Sequence, residues 1–163
     1  MEIFLRDLIS HIVDNRGKNP NSYSNEGIPV IDNYLISDNY YPDLSKVNRY
    51  ISFDTYNNFI RSKTIENDVL ITLVGNGYGN VALSPKNSII IQNTIGLRTN
   101  EKCLQKYLYY LLLSKKADIR NLNRGCAQPS IKVSDLLNLN FFIHEIYEQR
   151  HIVNTISSAL ISL

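Results

Sequence analysis

The stretch NDVLITLVGNGYGNVAL, residues 67–83, limits the fold more than any other part of the chain. Val69, Leu70, Ile71, Leu73 and Val74 form an apolar run dense in β-branched residues, and Val81–Leu83 forms a second. Short apolar runs bounded by turn signals read as buried strands. The GNGYG segment, Gly75–Gly79, and Asn80 separate them, and the glycines accept positive φ. The two runs are therefore expected to pair across a hairpin-type turn that lets a neighbouring backbone come close.

The other elements follow from local pattern. Phe4, Leu5, Leu8, Ile9 and Ile12 recur at helical spacing, which predicts an amphipathic helix over 3–13, with His11 on it. Residues 14–27 lose all periodicity and collect Gly, Pro, Asn and Ser, so they read as a long loop. Residues 28–31 are a short strand candidate, and 37–50 a turn-rich surface crossing. Ser52 is placed to cap a helix from Phe53 to about Arg61, with Asp54 favourable in its first turn. Residues 88–99 supply one or two more strands. Leu104, Leu108, Leu111 and Leu112 share a helical face with Tyr107 and Tyr110 at its margin, which predicts a helix over 102–114. Residues 115–124 continue as a shorter helix, and 139–143 as a strand. In the C-terminal run, Ile146, Val153, Ile156, Leu160 and Leu163 keep a seven-residue a/d register, with Gln149 at the remaining d position. That predicts the start of a coiled-coil seam rather than a helix lying on its own domain. The fold class is α/β (α+β).

A chain of 163 residues suits one domain with one core. Glu2, Arg6 and Asp7 interrupt any apolar signal core, and no window reaches the roughly 18 uninterrupted apolar residues of a membrane helix. Cys103 and Cys126 lack metal-ligand or disulfide-framework spacing and read as reduced thiols, so a cytoplasmic location is expected. The net charge of +2 conceals an uneven distribution. Residues 1–85 carry −3, residues 133–163 carry −2, and residues 86–132 carry +7 from nine cations against Glu101 and Asp118. Such a block is the footprint expected of a phosphate-binding face, or else a solvated helix surface. Twenty asparagines suit adenine recognition, but richness in Asn, Ile, Lys and Tyr is equally the product of AT-rich coding.

Catalytic motifs do not assemble. GNGYG spaces its glycines as GxGxG before a strand, whereas a dinucleotide loop needs GxGxxG opening a helix. NPNSY, residues 19–23, lacks the second proline of the Asn-Pro-Pro-Tyr signature, and no upstream loop could hold a methyl donor. His11, His144 and His151 are scattered without metal spacing. Tyr107, Tyr109 and Tyr110 follow a helix and read as core margin. Tyr23 and Tyr78 sit in polar loops flanked by Lys18, Asn19, Asn21, Asn76 and Asn80, residue types suited to phosphates and base edges.

The segments VDNRGKNP, EGIPVI, YIS, NDVLITLVGNGYGNVAL, IIQNTIGLR, YLYYLLLS, GCAQPSI and EQRHIV occur in that order. The ordered set resembles one target recognition domain, plus the opening of the following long helix, of a type I restriction-modification specificity subunit. The resemblance covers residues 5–163. It implies a non-catalytic reader of double-stranded DNA with a curved mixed β-sheet and flanking helices. On this pattern residues 1–144 recognise one half of a bipartite target, and residues 145–163 begin the coiled-coil helix. The implied partners are a methyltransferase subunit, which alone would hold S-adenosylmethionine, and a restriction subunit in the full complex. The short a/d seam of Ile146, Val153, Ile156, Leu160 and Leu163 predicts at most a weak homodimer.

Gln128, Pro129 and Ser130 match the family's small-Gln-Pro-Ser loop, Gly75–Gly79 its glycine turn, and Gln92, Asn93 and Arg98 its QN…GLR segment. Expected DNA contacts are Lys18, Asn19, Asn21, Tyr23, Asn76, Tyr78, Asn80, Asn93, Arg98, Lys115, Lys116, Arg124, Gln128, Ser130 and Lys132. For Gln128 the competing role is to cap an internal strand edge. The family's proline pair before Glu-Gln is replaced here around His144 and Glu145, which predicts a less rigid strand-to-helix corner. An interaction module that binds the methyltransferase without choosing a site is the alternative function.

Overall fold

A computed structural model describes residues 1–125 and 127–162; Cys126 and Leu163, named above as a thiol and a seam position, lie outside the described residues. The first half contains β1 (Glu2–Phe4), β2 (Ile9–Val13), β3 (Ile28–Pro29), β4 (Tyr50–Ile51) and α1 (Phe53–Asn58). β5 (Val69–Thr72), β6 (Val81–Leu83) and β7 (Thr94–Thr99) follow. Then come α2 (Gln105–Ser114), α3 (Lys116–Arg120), α4 (Val133–Leu137), β8 (Asn140–Phe142) and α5 (Ile146–Ile161). The central sheet runs β2-β7-β5-β6, and β1-β8 and β3-β4 form two separate pairs. These pairings are antiparallel, and an isolated Val30–Ile89 bridge adds a parallel step. The result is an α/β fold of open sheets and helices.

The apolar run at 69–73 is explained by what covers the sheet. Val69, Ile71 and Leu73 face a core built with Leu108 and Leu112 of α2, while Leu70 and Ala82 face Ile31, Leu35, Ile36 and Ile90. A strand covered on both faces has no solvent side, so it needs no polar alternation. The hairpin pairing of β5 with β6 is as expected, with Val69 opposite Leu83 and Ile71 opposite Val81. Ser52 caps α1 by accepting from the Thr55 N–H, but the helix ends at Asn58.

The expected helix over 3–13 does not form. Its residues make β1, a 3₁₀ turn (Leu5–Leu8) and β2, which places His11 on a strand opposite Arg98. Leu5 and Leu8 are fully buried by that single turn, which accounts for the helical spacing. Sheet pairing of the flanking β-branched residues with β7 overrode the local period. α4 was not anticipated, and of residues 88–99 only Thr94–Thr99 is a named strand.

α5 also departs from expectation, because its first half lies on its own domain. Gln149 is fully buried. Its carbonyl accepts from the Leu104 N–H at 2.9 Å, and its amide donates to the Lys102 and His144 carbonyls at 2.9 and 2.8 Å. It therefore satisfies backbone at the start of α2, and Val153 joins the main core. Only the last turns stand clear, with Leu160 and Ile161 exposed. The corner before α5 is firmly held: Glu145 and Glu148 make a reciprocal capping box, and the Tyr107 hydroxyl meets His144 Nδ1 at 2.8 Å.

Candidate nucleic-acid interface

The glycine turn closes on itself and on a second loop. Gly79 N–H donates to the Thr72 carbonyl at 2.7 Å, and Tyr78 and Asn80 N–H donate to Gly75 and Gly77 carbonyls. Gly75 and Gly79 take φ of +97° and +85°, a region that disfavours other residues. Beyond Thr72 the strand does not stop. Gly75 N–H donates to the Pro129 carbonyl at 3.0 Å, Ile131 N–H to the Leu73 carbonyl at 2.8 Å, and Val74 bridges Ser130 antiparallel. Asn123 Oδ1 accepts from the Ser130 N–H. The glycine turn and the Gln-Pro-Ser loop, 50 residues apart in sequence, thus form one edge.

A buttress stands behind the turn. Lys116 Nζ lies 2.7 Å from Asp38 and also donates to Asn80 Oδ1, while Asn80 Nδ2 donates to the Ile36 carbonyl. Asp38 further accepts from the Val81 N–H at 3.0 Å, and its carbonyl receives the Tyr109 hydroxyl. Lys116 and Asn80 are therefore occupied within the protein. The Arg120 guanidinium sits 4.4 Å over the Tyr78 ring.

The long loop of residues 14–27 reaches the same edge by a chain of contacts. Tyr23 lies 4.2 Å beneath Arg49, whose guanidinium forks onto Asp32; that hydrogen bonding raises the arginine's pKa. The next residue, Asn33, brings its side-chain amide up to Gly75. Lys18 covers Phe59 at 5.2 Å, and exposed Asn21 lines a shallow depression with Asp54, Thr55 and Asn58. Exposed Asn19 lies between them in sequence.

The expected contacts therefore divide. Asn76, Gln128 and Lys132 are exposed, and their side chains bond to none of the described residues. Lys115 has only a 3.6 Å pairing with Asp118. Arg124 is mostly exposed and forks onto Asp135. Ser130 is half-buried in the stitched edge, and Asn93 is a left-handed corner at φ +63° whose carbonyl accepts from the Leu73 N–H. Arg98 stands apart. Its Nε and Nη2 bind both oxygens of fully buried Asp68 at 2.9 and 2.8 Å, so it ties β7 to the start of β5. Asp68 also accepts from the Ile65 N–H. No local pattern signals Arg49, Asn33, Asp38 or the stacking of Arg120, because each acts through a distant partner. Among the described residues no group of three or more His, Cys, Asp and Glu could hold a metal. No helix there is long and apolar enough to cross a membrane.

The profile of the type I restriction modification DNA specificity domain matches residues 2–161. The chain belongs to that family. No curated protein gives a sequence match. Among solved structures, a chain from a study of complex assembly and conformational transition of the type I R-M system aligns at TM-score 0.76 and 18% identity. That alignment covers 99% of this chain and 38% of the other. The S subunit from M. genitalium aligns at 0.69 and 22% identity, covering 97% and 38%. The HsdS subunit from Thermoanaerobacter tengcongensis aligns at 0.74 and 18%, covering 99% and 37%. The chain thus spans under two-fifths of the length of these structures, and the likeness at such identities is one of fold.

Proposed function

We propose that this chain reads one half of a bipartite duplex DNA target through the composite edge of residues 75–79 and 127–132. The observation that carries this reading is the backbone stitching of those two loops. Among the described residues it leaves Asn76 and Gln128 as unbonded amides, with Lys132 unpaired. Amides can bond two edge atoms of a base, and lysines neutralise phosphates. The first loop, with Lys18, Asn19, Asn21 and Tyr23, extends the same surface through Arg49 and Asn33. Lys115 and Arg124 supply further positive charge. Lys116, Asn80 and Arg98 hold the scaffold in this account.

Residues 1–144 then act as the recognition domain and residues 145–163 as the start of a docking helix. In that role the chain directs a methyltransferase subunit, the holder of S-adenosylmethionine, and through it a restriction subunit, in the cytoplasm. Family membership and the assembly described for one structural relative support this partnership. Homodimerisation through the free end of α5 is weak at most. A second reading is favoured by exposed Leu160 and Ile161: a module that occupies the methyltransferase without choosing a site.

Selection from a randomised duplex library separates the two readings. A site reader enriches a short motif, and Asn76→Ala or Gln128→Ala changes the motif rather than the overall affinity. Lys132→Glu weakens all duplexes alike and lowers the salt slope by about one. Co-purification with the methyltransferase but no enrichment supports the module and contradicts the reader.

A further inference from the structure

We infer that Arg120 is a specificity-determining residue that reads a guanine in the target; this rests on the DNA-reading function proposed above. Most arginines with a described side-chain bond are already taken. Arg16 binds Asp14, Arg49 binds Asp32, Arg98 binds Asp68 and Arg124 binds Asp135. Three arginines stack on rings: Arg6 on Phe4, Arg49 on Tyr23 and Arg120 on Tyr78. Arg6 also donates to Asn138 and Arg49 to Asp32. Among the described residues only Arg120 is held by a ring with no acceptor on its guanidinium.

Its position is built from both ends. The Arg120 Cγ lies only 3.2 Å from where a Cβ on residue 79 would sit, and Ile119 Cγ2 lies at 3.5 Å. Glycine at 79, at φ +85°, therefore serves the turn and also admits the arginine stem against it. The stem is fixed by the turn and the guanidinium plane by Tyr78, whose N–H closes the same turn. A phosphate contact needs no such fixing, since a mobile lysine serves it. A planar fork of donors held in one orientation suits two acceptors in a plane, as guanine O6 and N7 present in the major groove. Exposed Asn76 belongs to the turn on which the Arg120 stem packs, and exposed Gln128 to the loop stitched to that turn.

The test uses the full chain and the duplex it selects. The motif is expected to contain a guanine whose replacement by 7-deazaguanine, which lacks the N7 acceptor, weakens wild-type binding at least several-fold. Arg120→Ala should lose preference at that base pair by about ten- to a hundred-fold, with other positions unchanged. Arg120→Gln should move the preference towards adenine. Arg120 is exposed, and an unchanged melting temperature establishes that the variants fold. A motif that keeps its guanine preference in Arg120→Ala, or weakening that is uniform across sequences, makes Arg120 a phosphate contact and overturns the assignment. A motif without guanine, or insensitivity of the wild type to 7-deazaguanine, overturns it too. Absence of any motif for the wild type defeats the DNA-reading function itself.

Discussion

Removing the Arg98 side chain isolates a scaffold role from a DNA-contacting one. Arg98→Ala leaves the Asp68 carboxylate, whose side chain is 0% exposed, without its cation. Breaking a buried pair on one side costs about 3–5 kcal/mol. Asp68 keeps one bond from the Ile65 N–H, and the arginine side chain is 27% exposed, so water can enter when it is gone. The low end, about 3 kcal/mol, is therefore expected. For a chain of this size that corresponds to a fall in Tm of about 6–12 °C. Thermal melts followed by circular dichroism measure it. Duplex affinity at a temperature where both proteins are folded should be unchanged. Asp68→Asn/Arg98→Met, which removes both charges, should recover most of the loss. A variant that melts within about 2 °C of wild type yet loses affinity would refute the reasoning and return Arg98 to the DNA face.

Gln149→Ala deprives the Leu104, Lys102 and His144 backbone of their partner and should cost about 2–4 kcal/mol, read by urea denaturation; a cost under about 0.5 kcal/mol would fit a seam residue instead. Gly27→Ala drives a Cβ into the Ile51 carbonyl oxygen at φ +119°, and should cost at least about 2 kcal/mol in the same assay. Burial raises the Cys103 thiol and the Tyr109 phenol, each to about 12. The fold therefore favours their neutral forms: this contribution is full below the ordinary values near 9 and 10 and declines as pH rises towards 12. Chemical denaturation at pH 8, 10 and 11 should show falling stability, and Cys103 should resist thiol reagents at pH 8 until the chain unfolds.

Where the deciding interactions were local in sequence, pattern was a sound guide: the hairpin at 69–83, the Ser52 cap and the leucine face of α2 were all legible. The pattern misled where a non-local partner decided the outcome. Leu5 and Leu8 have helical spacing, but the flanking residues pair with β7 and β8, which lie far along the chain. Gln149 looked like a polar seam residue, and its purpose becomes visible only with the start of α2 beside it. The candidate interface divides in the same way. The composition of the glycine turn and the Gln-Pro-Ser loop marked both as unusual, but nothing in either marked them as neighbours. The sequence could not distinguish Lys115 from Lys116, since only the latter finds Asp38.

The central claim is that the stitched edge is the DNA face, and hydrogen exchange read by mass spectrometry tests it most directly. Adding the selected duplex should slow exchange in peptides covering residues 75–80 and 127–132, with a smaller effect at 18–25. Peptides of β1 and β8, which form a strand pair separate from the sheet that carries the edge, should be unchanged. Protection confined to the C-terminal half of α5, or none at 75–80 and 127–132 under conditions of saturated binding, would contradict the account.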